Sequence, residues 1–256
     1  MAMQRILVLG GTSEARALAG ALAKRAQVSV TLSLAGRTKV PAPQHVPVRT
    51  GGFGGAGGLA DYLKARVISI LIDATHPYAA QISMNAARAA EEANIPLLAL
   101  RRPAWTAMRG DNWVEVDDVA GAVQALGHAP RHVFLALGRK ELAPFEAAPY
   151  HYYLIRSVDP PEATLALPHA VYIAQRGPFV ETEERALLVQ HAIEIIVARN
   201  SGGEAAYGKV AAARALGLPM IMLRRPALPN VPAVTTVQDA MTWLHHALTT
   251  SSARGV

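Results

Sequence analysis

Ile6-Leu-Val-Leu-Gly-Gly-Thr-Ser-Glu-Ala-Arg-Ala-Leu-Ala-Gly-Ala-Leu22 is the stretch whose reading decides the fold. Ile6 to Leu9 are four consecutive apolar residues, the pattern of a buried strand. Gly10, Gly11, Thr12 and Ser13 follow as a tight turn. From Glu14 onward the apolar side chains recur at helical spacing, at Ala15, Leu18, Ala19 and Leu22. Strand, glycine turn and helix together are the pattern with which a nucleotide-binding α/β unit can open. Glycines lack a Cβ, so a ligand can approach the backbone closely. The first turn of the helix leaves N–H groups unpaired at the positive end of the helix dipole. A phosphate fits there. Gly10, Gly11, Thr12, Ser13 and Glu14 are therefore candidate cofactor-binding residues. The spacing is not G-x-G-x-x-G, and the same residues also read as an ordinary βα turn capped by Thr12 or Ser13.

Composition sets the frame around this turn. The chain has 256 residues, 51% hydrophobic and 17% charged, which suits one large or two small α/β domains with a sizeable core. It has no cysteine, which excludes disulfides, thiolate metal sites and cysteine nucleophiles and fits a reducing compartment. The four-residue apolar run at Ile6 is too short for a signal peptide, and no stretch approaches a membrane span, so a cytoplasmic protein is expected. The net charge of +6 is scattered, with arginines at strand ends such as Arg101, Arg156, Arg199 and Arg224. Without a dense basic run, nucleic acid is not the expected partner. Arginines at strand ends suit a small polyanion.

Further strand ends add candidates. Residues 27–33 read as a second strand that runs into Ser33-Leu-Ala-Gly-Arg37. An acid at this place would hold the ribose of NAD. Ser33, Gly36 and Arg37 instead suit the 2′-phosphate of NADP. Gly51 to Gly58 holds six glycines in eight residues and reads either as a cover over a cofactor or as a mobile connection into a helix at 59–64. Val67 to Asp73 is an apolar strand that ends in Asp73-Ala-Thr-His-Pro-Tyr78. Ligands of open α/β sheets sit outside the carboxyl ends of strands. Asp73, Thr75, His76 and Tyr78 are polar groups delivered to that edge, with Asp73 and Thr75 candidate cofactor contacts and His76 the candidate proton donor. The same residues also suit local capping of the following helix.

The chain then repeats itself. Leu100-Arg-Arg-Pro-Ala104 returns as Leu223-Arg-Arg-Pro-Ala227, each after an apolar strand. Two related α/β halves are expected: lobe 1–102, connection 103–130 and lobe 131–256. In the second half, Gly138-Arg139-Lys140 and Ser201-Gly202-Gly203 are turns suited to anions. No histidine cluster has metal-ligand spacing, so no metal is expected.

Leu9-Gly-Gly-Thr-Ser-Glu-Ala15, Asp73-Ala-Thr-His-Pro-Tyr-Ala79, Gln175-Arg-Gly-Pro-Phe179, Asn200-Ser-Gly-Gly203 and Leu218-Pro-Met-Ile-Met-Leu-Arg-Arg-Pro226 occur in that order. Together they resemble the precorrin-6A reductase family of cobalamin biosynthesis over about residues 5 to 245. The resemblance implies two Rossmann-like lobes with mostly parallel sheets flanked by helices and a cleft between them. It implies NADPH as cofactor and reduction of one ring C=C of a polycarboxylate tetrapyrrole. It implies cofactor binding in the first lobe and the macrocycle in the cleft, beside which the strand-end and turn residues Tyr78, Arg139, Lys140, Ser201, Gly202 and Gly203 are the candidate substrate contacts. The chain departs from the family pattern at Gly138-Arg-Lys140 and at Val197-Ala-Arg-Asn200. Two other readings share the first lobe: a different NADP-dependent Rossmann oxidoreductase, and a non-catalytic two-lobed nucleotide-binding protein.

Overall fold

The computed structural model describes residues 3–36, 43–159 and 165–253. The chain forms two compact units, Met1–Pro103 with Pro226–Val256, and Ala104–Arg225.

The first unit follows the amphipathic logic of its opening stretch. Strand β1 (Gln4–Leu9) leads into helix α1 (Ser13–Leu22). Then come β2 (Val28–Leu34), β3 (Val48–Thr50), α2 (Gly55–Ala65), β4 (Ile70–Asp73), α3 (Ala80–Glu92) and β5 (Leu97–Leu100). Successive residues of a strand face opposite sides of the sheet. Ile6 and Val8 therefore pack with Leu18 and Leu22 of α1, while Leu7 and Leu9 pack with Leu59 and Leu63 of α2 and Ala86 and Ala89 of α3. Both faces of β1 are buried, which is why it reads as a continuous apolar run rather than an alternating one.

The second unit holds β6 (Asn112–Val116), α4 (Val119–Leu126), β7 (His132–Ala136), β8 (Tyr152–Ser157), β9 (Ala170–Ala174), α5 (Glu181–Gln190), β10 (Ile195–Arg199), α6 (Gly208–Leu216) and β11 (Pro219–Leu223). The chain then returns to the first unit with β12 (Ala233–Val234) and α7 (Val237–Ala253). Ala240 and Leu244 of α7 complete the core on the α1 face of the first sheet.

Each sheet has six strands among the described residues, in the orders β12-β5-β4-β1-β2-β3 and β6-β11-β10-β7-β8-β9. Every strand pair is parallel. Numbered within each half, both orders are the dinucleotide-binding order 3-2-1-4-5-6. The sixth strands are exchanged. β6 follows β5 in the chain yet pairs with β11, from Pro219↔Asn112 to Leu223↔Val116. β12 follows β11 yet pairs with β5, at Ala233↔Ala99 and Val234↔Leu100.

This exchange corrects the expected boundaries. Residues 112–126 do not bridge two lobes, because they supply a strand and a helix to the second unit. Residues 226–256 do not belong with 131–225, because β12 and α7 finish the first unit.

Two local expectations also change. The second half of the glycine run belongs to α2, which begins at Gly55 rather than at residue 59. Arg49 pins the run, donating to the Gly51 carbonyl at 2.5 Å and the Gly52 carbonyl at 2.6 Å, with its guanidinium 3.7 Å from the Phe53 ring centre. The strand expected from Val67 starts at Ile70 instead, since Val67 turns through φ 52° and is exposed.

Candidate active site

The reversal of strand order in the first sheet falls between β1 and β4, which lie side by side with Leu9 paired to Asp73. Ligand crevices of open parallel sheets lie outside the carboxyl ends of the strands at such a reversal. The two loops that leave this edge carry most of the first-half candidates.

Thr12 organises the turn after β1. It is the N-cap of α1, with its Oγ1 accepting from the Ala15 N–H at 3.1 Å. The same hydroxyl donates to the Ala74 carbonyl at 2.8 Å. One side chain thus caps the helix and ties the β1 loop to the β4 loop. The two glycines before it do different work. A Cβ on Gly10 would lie 2.6 Å from Leu32 Cδ1, so this glycine lets α1 and β2 close on β1. Gly11 has φ +117° and nothing within 4 Å of where a Cβ would stand, so it borders open space. Gly36 also needs the left-handed region, at φ +73°. Arg37, expected to read a 2′-phosphate, lies outside the described residues.

Glu14, in the first turn of α1, meets Arg102 just beyond β5, at 3.1 Å. Ser13 donates to the same carboxylate at 3.0 Å. Burial opposes ionisation of Glu14. The helix-terminal backbone N–H, the Arg102 charge and the Ser13 hydroxyl outweigh it and hold the carboxyl below its ordinary pKa. Thr12, Glu14, Thr75, Pro77, Leu100 and Arg102 line a small depression at this edge. Arg102 was not among the expected cofactor residues. Its doubled Arg-Arg-Pro motif was the available signal.

Ser33 and Asp73 are placed inward. Ser33 is buried, and its carbonyl accepts the Gly10 N–H at 2.9 Å. Asp73 is 3% exposed, and its Oδ1 accepts from the Thr75 N–H at 3.2 Å and the Thr75 hydroxyl at 2.7 Å. Asp73 shapes the loop and sets the Thr75 rotamer. His76 and Tyr78 are half-buried on the same loop. His76 Nδ1 accepts the Tyr78 N–H at 3.3 Å.

The second-half candidates lie at the corresponding edge of the second sheet. The reversal there falls between β7 and β10. Glu141 closes it, accepting the Gly138 N–H at 2.9 Å and Arg199 Nε at 3.0 Å. Arg139 and Lys140 stand on the same short turn, Arg139–Glu141. The Ser201–Gly203 loop is held by contacts that are silent in the sequence. Asn200 exchanges two hydrogen bonds with the Trp105 backbone, at 2.7 and 2.8 Å. Trp105 Nε1 donates to the Gly203 carbonyl at 3.1 Å, and the Ser201 N–H is taken by the Arg199 carbonyl at 2.8 Å. Among the described residues no group of three or more His, Cys, Asp or Glu could hold a metal ion, and no helix is long and apolar enough to cross a membrane.

Residues 5–245 match the family model described as precorrin-6x reductase CbiJ/CobK. The chain is 52% identical to a precorrin-6A reductase of Sinorhizobium sp over 97% of this chain and 95% of that protein. It is 49% identical to the precorrin-6A reductase of Rhodobacter capsulatus, over 94% and 96%. A solved structure titled CobK precorrin-6A reductase superposes with a TM-score of 0.92 at 48% identity, over 96% of this chain and 97% of that one. The chain belongs to the precorrin-6x reductase family and is an oxidoreductase.

Proposed function

We propose that this enzyme reduces one ring C=C of precorrin-6A to give precorrin-6B in cobalamin biosynthesis, with NADPH as hydride donor, and that it acts in the cytoplasm. The observation that carries the cofactor assignment is Gly11, a left-handed glycine facing open space at the start of α1. The N–H groups of Gly11, Thr12 and Ser13 there suit a pyrophosphate at the positive end of the helix. Gly10 supports this by bringing α1 close to β2, and Thr12 holds the turn against the β4 loop. Glu14 steadies Arg102 beside it. Ser33 and Gly36 shape the end of β2, and Arg37 is the candidate from the sequence for the 2′-phosphate.

When bound, NADPH supplies a hydride to one carbon of the reduced double bond. The protein supplies position and the proton for the other carbon. Asp73 fixes Thr75, and the loop presents His76 and Tyr78 toward the tetrapyrrole. His76 donates the proton as imidazolium, giving up the long bond from the Tyr78 N–H when Nδ1 is protonated. Arg139, Lys140 and the Ser201, Gly202, Gly203 loop receive carboxylates of the polycarboxylate substrate.

The test is the loss of NADPH absorbance on adding precorrin-6A. Oxidation only in the presence of the macrocycle is the expected result. Binding of NADPH with no turnover would favour a non-catalytic nucleotide-binding protein. Arg37→Ala should weaken NADPH far more than NADH, and equal losses for the two would remove Arg37 from the site.

A further inference from the structure

Several arginines of this chain use the same edge of the guanidinium. Arg214 holds both Asp111 oxygens through Nε and Nη2, at 2.9 and 3.2 Å. Arg199 grips Glu141 with Nε and Nη2. Arg225 gives Nε and Nη2 to the carbonyls of Asn200 and Ser201, at 2.8 and 3.0 Å. In each case two parallel N–H donors meet two oxygens, the geometry that suits a carboxylate.

Arg101 breaks this pattern. Its backbone N–H donates to the Val234 carbonyl at 2.9 Å and its Nη1 to the Pro229 carbonyl at 3.1 Å. Its Nε and Nη2 are buried and have no hydrogen-bond partner among the described residues. An ionised fork removed from water without acceptors is costly, and buried polar atoms in native proteins almost always find partners. Arg101 also stands at the functional edge. Ala99 of β5 pairs with Asp73 of β4, so Arg101 leaves the sheet beside the Asp73–Tyr78 loop. The residues covering the end of β5 are Pro226-Ala-Leu-Pro-Asn-Val-Pro232, a stretch without helix or strand whose Pro232 carbonyl accepts the Ala99 N–H.

We propose that the Nε/Nη2 edge of Arg101 is a carboxylate fork that takes one peripheral carboxylate of the macrocycle. This rests on the reductase reading above. Nη1 keeps its hold on Pro229, and the 226–232 stretch shifts to admit the two carboxylate oxygens. A phosphate of NADPH is the other oxyanion that would fit the fork, so the experiment separates the two.

The experiment compares wild type, Arg101→Met and Arg101→Lys for precorrin-6A affinity and KM, NADPH affinity and melting temperature. Loss of a bidentate charged pair should raise the precorrin-6A Kd and KM about 10- to 100-fold in both variants. NADPH affinity and kcat should stay close to wild type. Lysine can still reach the Pro229 carbonyl but cannot form the fork, so Arg101→Lys should recover melting temperature without recovering KM. An unchanged macrocycle KM with lowered melting makes Arg101 a strut for the 226–232 stretch and overturns the proposal. Weakened NADPH with unchanged macrocycle binding assigns the fork to phosphate and also overturns it. Wild type that binds precorrin-6A without oxidising NADPH refutes the reductase reading, and the Kd ratio then still decides the fork. Wild type that does not bind precorrin-6A refutes both.

Discussion

Thr12 joins two loops and one helix through a single hydroxyl, so replacing it should disturb the first unit well beyond its size. Thr12→Val keeps the shape and removes the oxygen. Loss of the N-cap bond to Ala15 costs about 1 kcal/mol. Leaving the Ala74 carbonyl without its donor, beside a fully buried residue, costs about 1–3 kcal/mol. The sum is roughly 2–4 kcal/mol, which corresponds to about a 30- to 1,000-fold change in a local opening equilibrium. Global unfolding of a chain with two compact units need not be two-state, so the better assay is amide hydrogen exchange resolved by peptide. Peptides from the β1 turn and the start of α1 should lose protection by that factor, while peptides from 104–225 should not change. NADPH affinity should fall as well, because the turn is no longer held against the β4 loop. Thr12→Ser keeps both bonds and should behave like wild type. Exchange in Thr12→Val within about two-fold of wild type, or equal losses in the serine and valine variants, would refute the assignment of these effects to the hydroxyl.

Three other outcomes follow from the same kind of reasoning. Arg156 and Glu184 form a buried pair with bonds of 2.5 and 2.9 Å, so Glu184→Gln should destabilise the second unit by about 3–5 kcal/mol in urea titration, and a loss under about 1 kcal/mol would contradict it. His151 is fully buried, and burial holds its pKa below the ordinary histidine value, with the Gly127 backbone opposing the shift and the Arg131 and His128 charges adding to it. The unfolded chain therefore binds more protons below about pH 6.5, and stability present above that pH is lost as pH falls through it. His151→Phe should flatten the melting temperature between neutral and mildly acidic pH, and an unchanged slope would clear His151. His76→Ala should lower kcat by about 100-fold with melting unchanged, and full activity would point to a different proton source.

What could be read in the sequence was local. The β1 turn declares itself because strand, glycines, cap and helix lie within a few residues, and the register of Thr12 against Ala74 follows once β1 and β4 are neighbours. The sixth strands could not be read this way. Ala233–Val234 is two residues long with no periodicity, and chain continuity argues for the wrong sheet. The arginines failed for a related reason. Which of them are available depends on carboxylates far away in sequence: Arg156 and Glu184 are 28 residues apart, Arg199 and Glu141 are 58 apart, and Arg214 and Asp111 are 103 apart. Arg156 in particular reads as a ligand arginine at a strand end but is enclosed by Glu184 and the Phe134 and Phe179 rings.

Two sheets of the same order invite the expectation of two nucleotide sites, and the chemistry of the two reversals argues against it. At the first, the group bridging the loops is a neutral hydroxyl, and the neighbouring Gly11 is left-handed and faces open space. At the second, Gly138 has φ −77°, a Cβ there would meet the Arg199 guanidinium at 2.5 Å, and the Gly138 N–H already donates to Glu141. A phosphate approaching Gly138 would meet a carboxylate in the position it needs, and like charges at that distance repel. The difference is where the carboxylate sits: in the second unit Glu141 occupies the N–H of the turn glycine itself, whereas in the first Glu14 is paired with Arg102 and Gly11 borders open space. Calorimetric titration should give one NADPH per chain. Glu141→Gln removes the repulsion but keeps the bond to Gly138, so it should leave that stoichiometry unchanged. A second NADPH bound by the wild-type chain would show that the Glu141–Arg199 pair opens, and would refute its role as a plug.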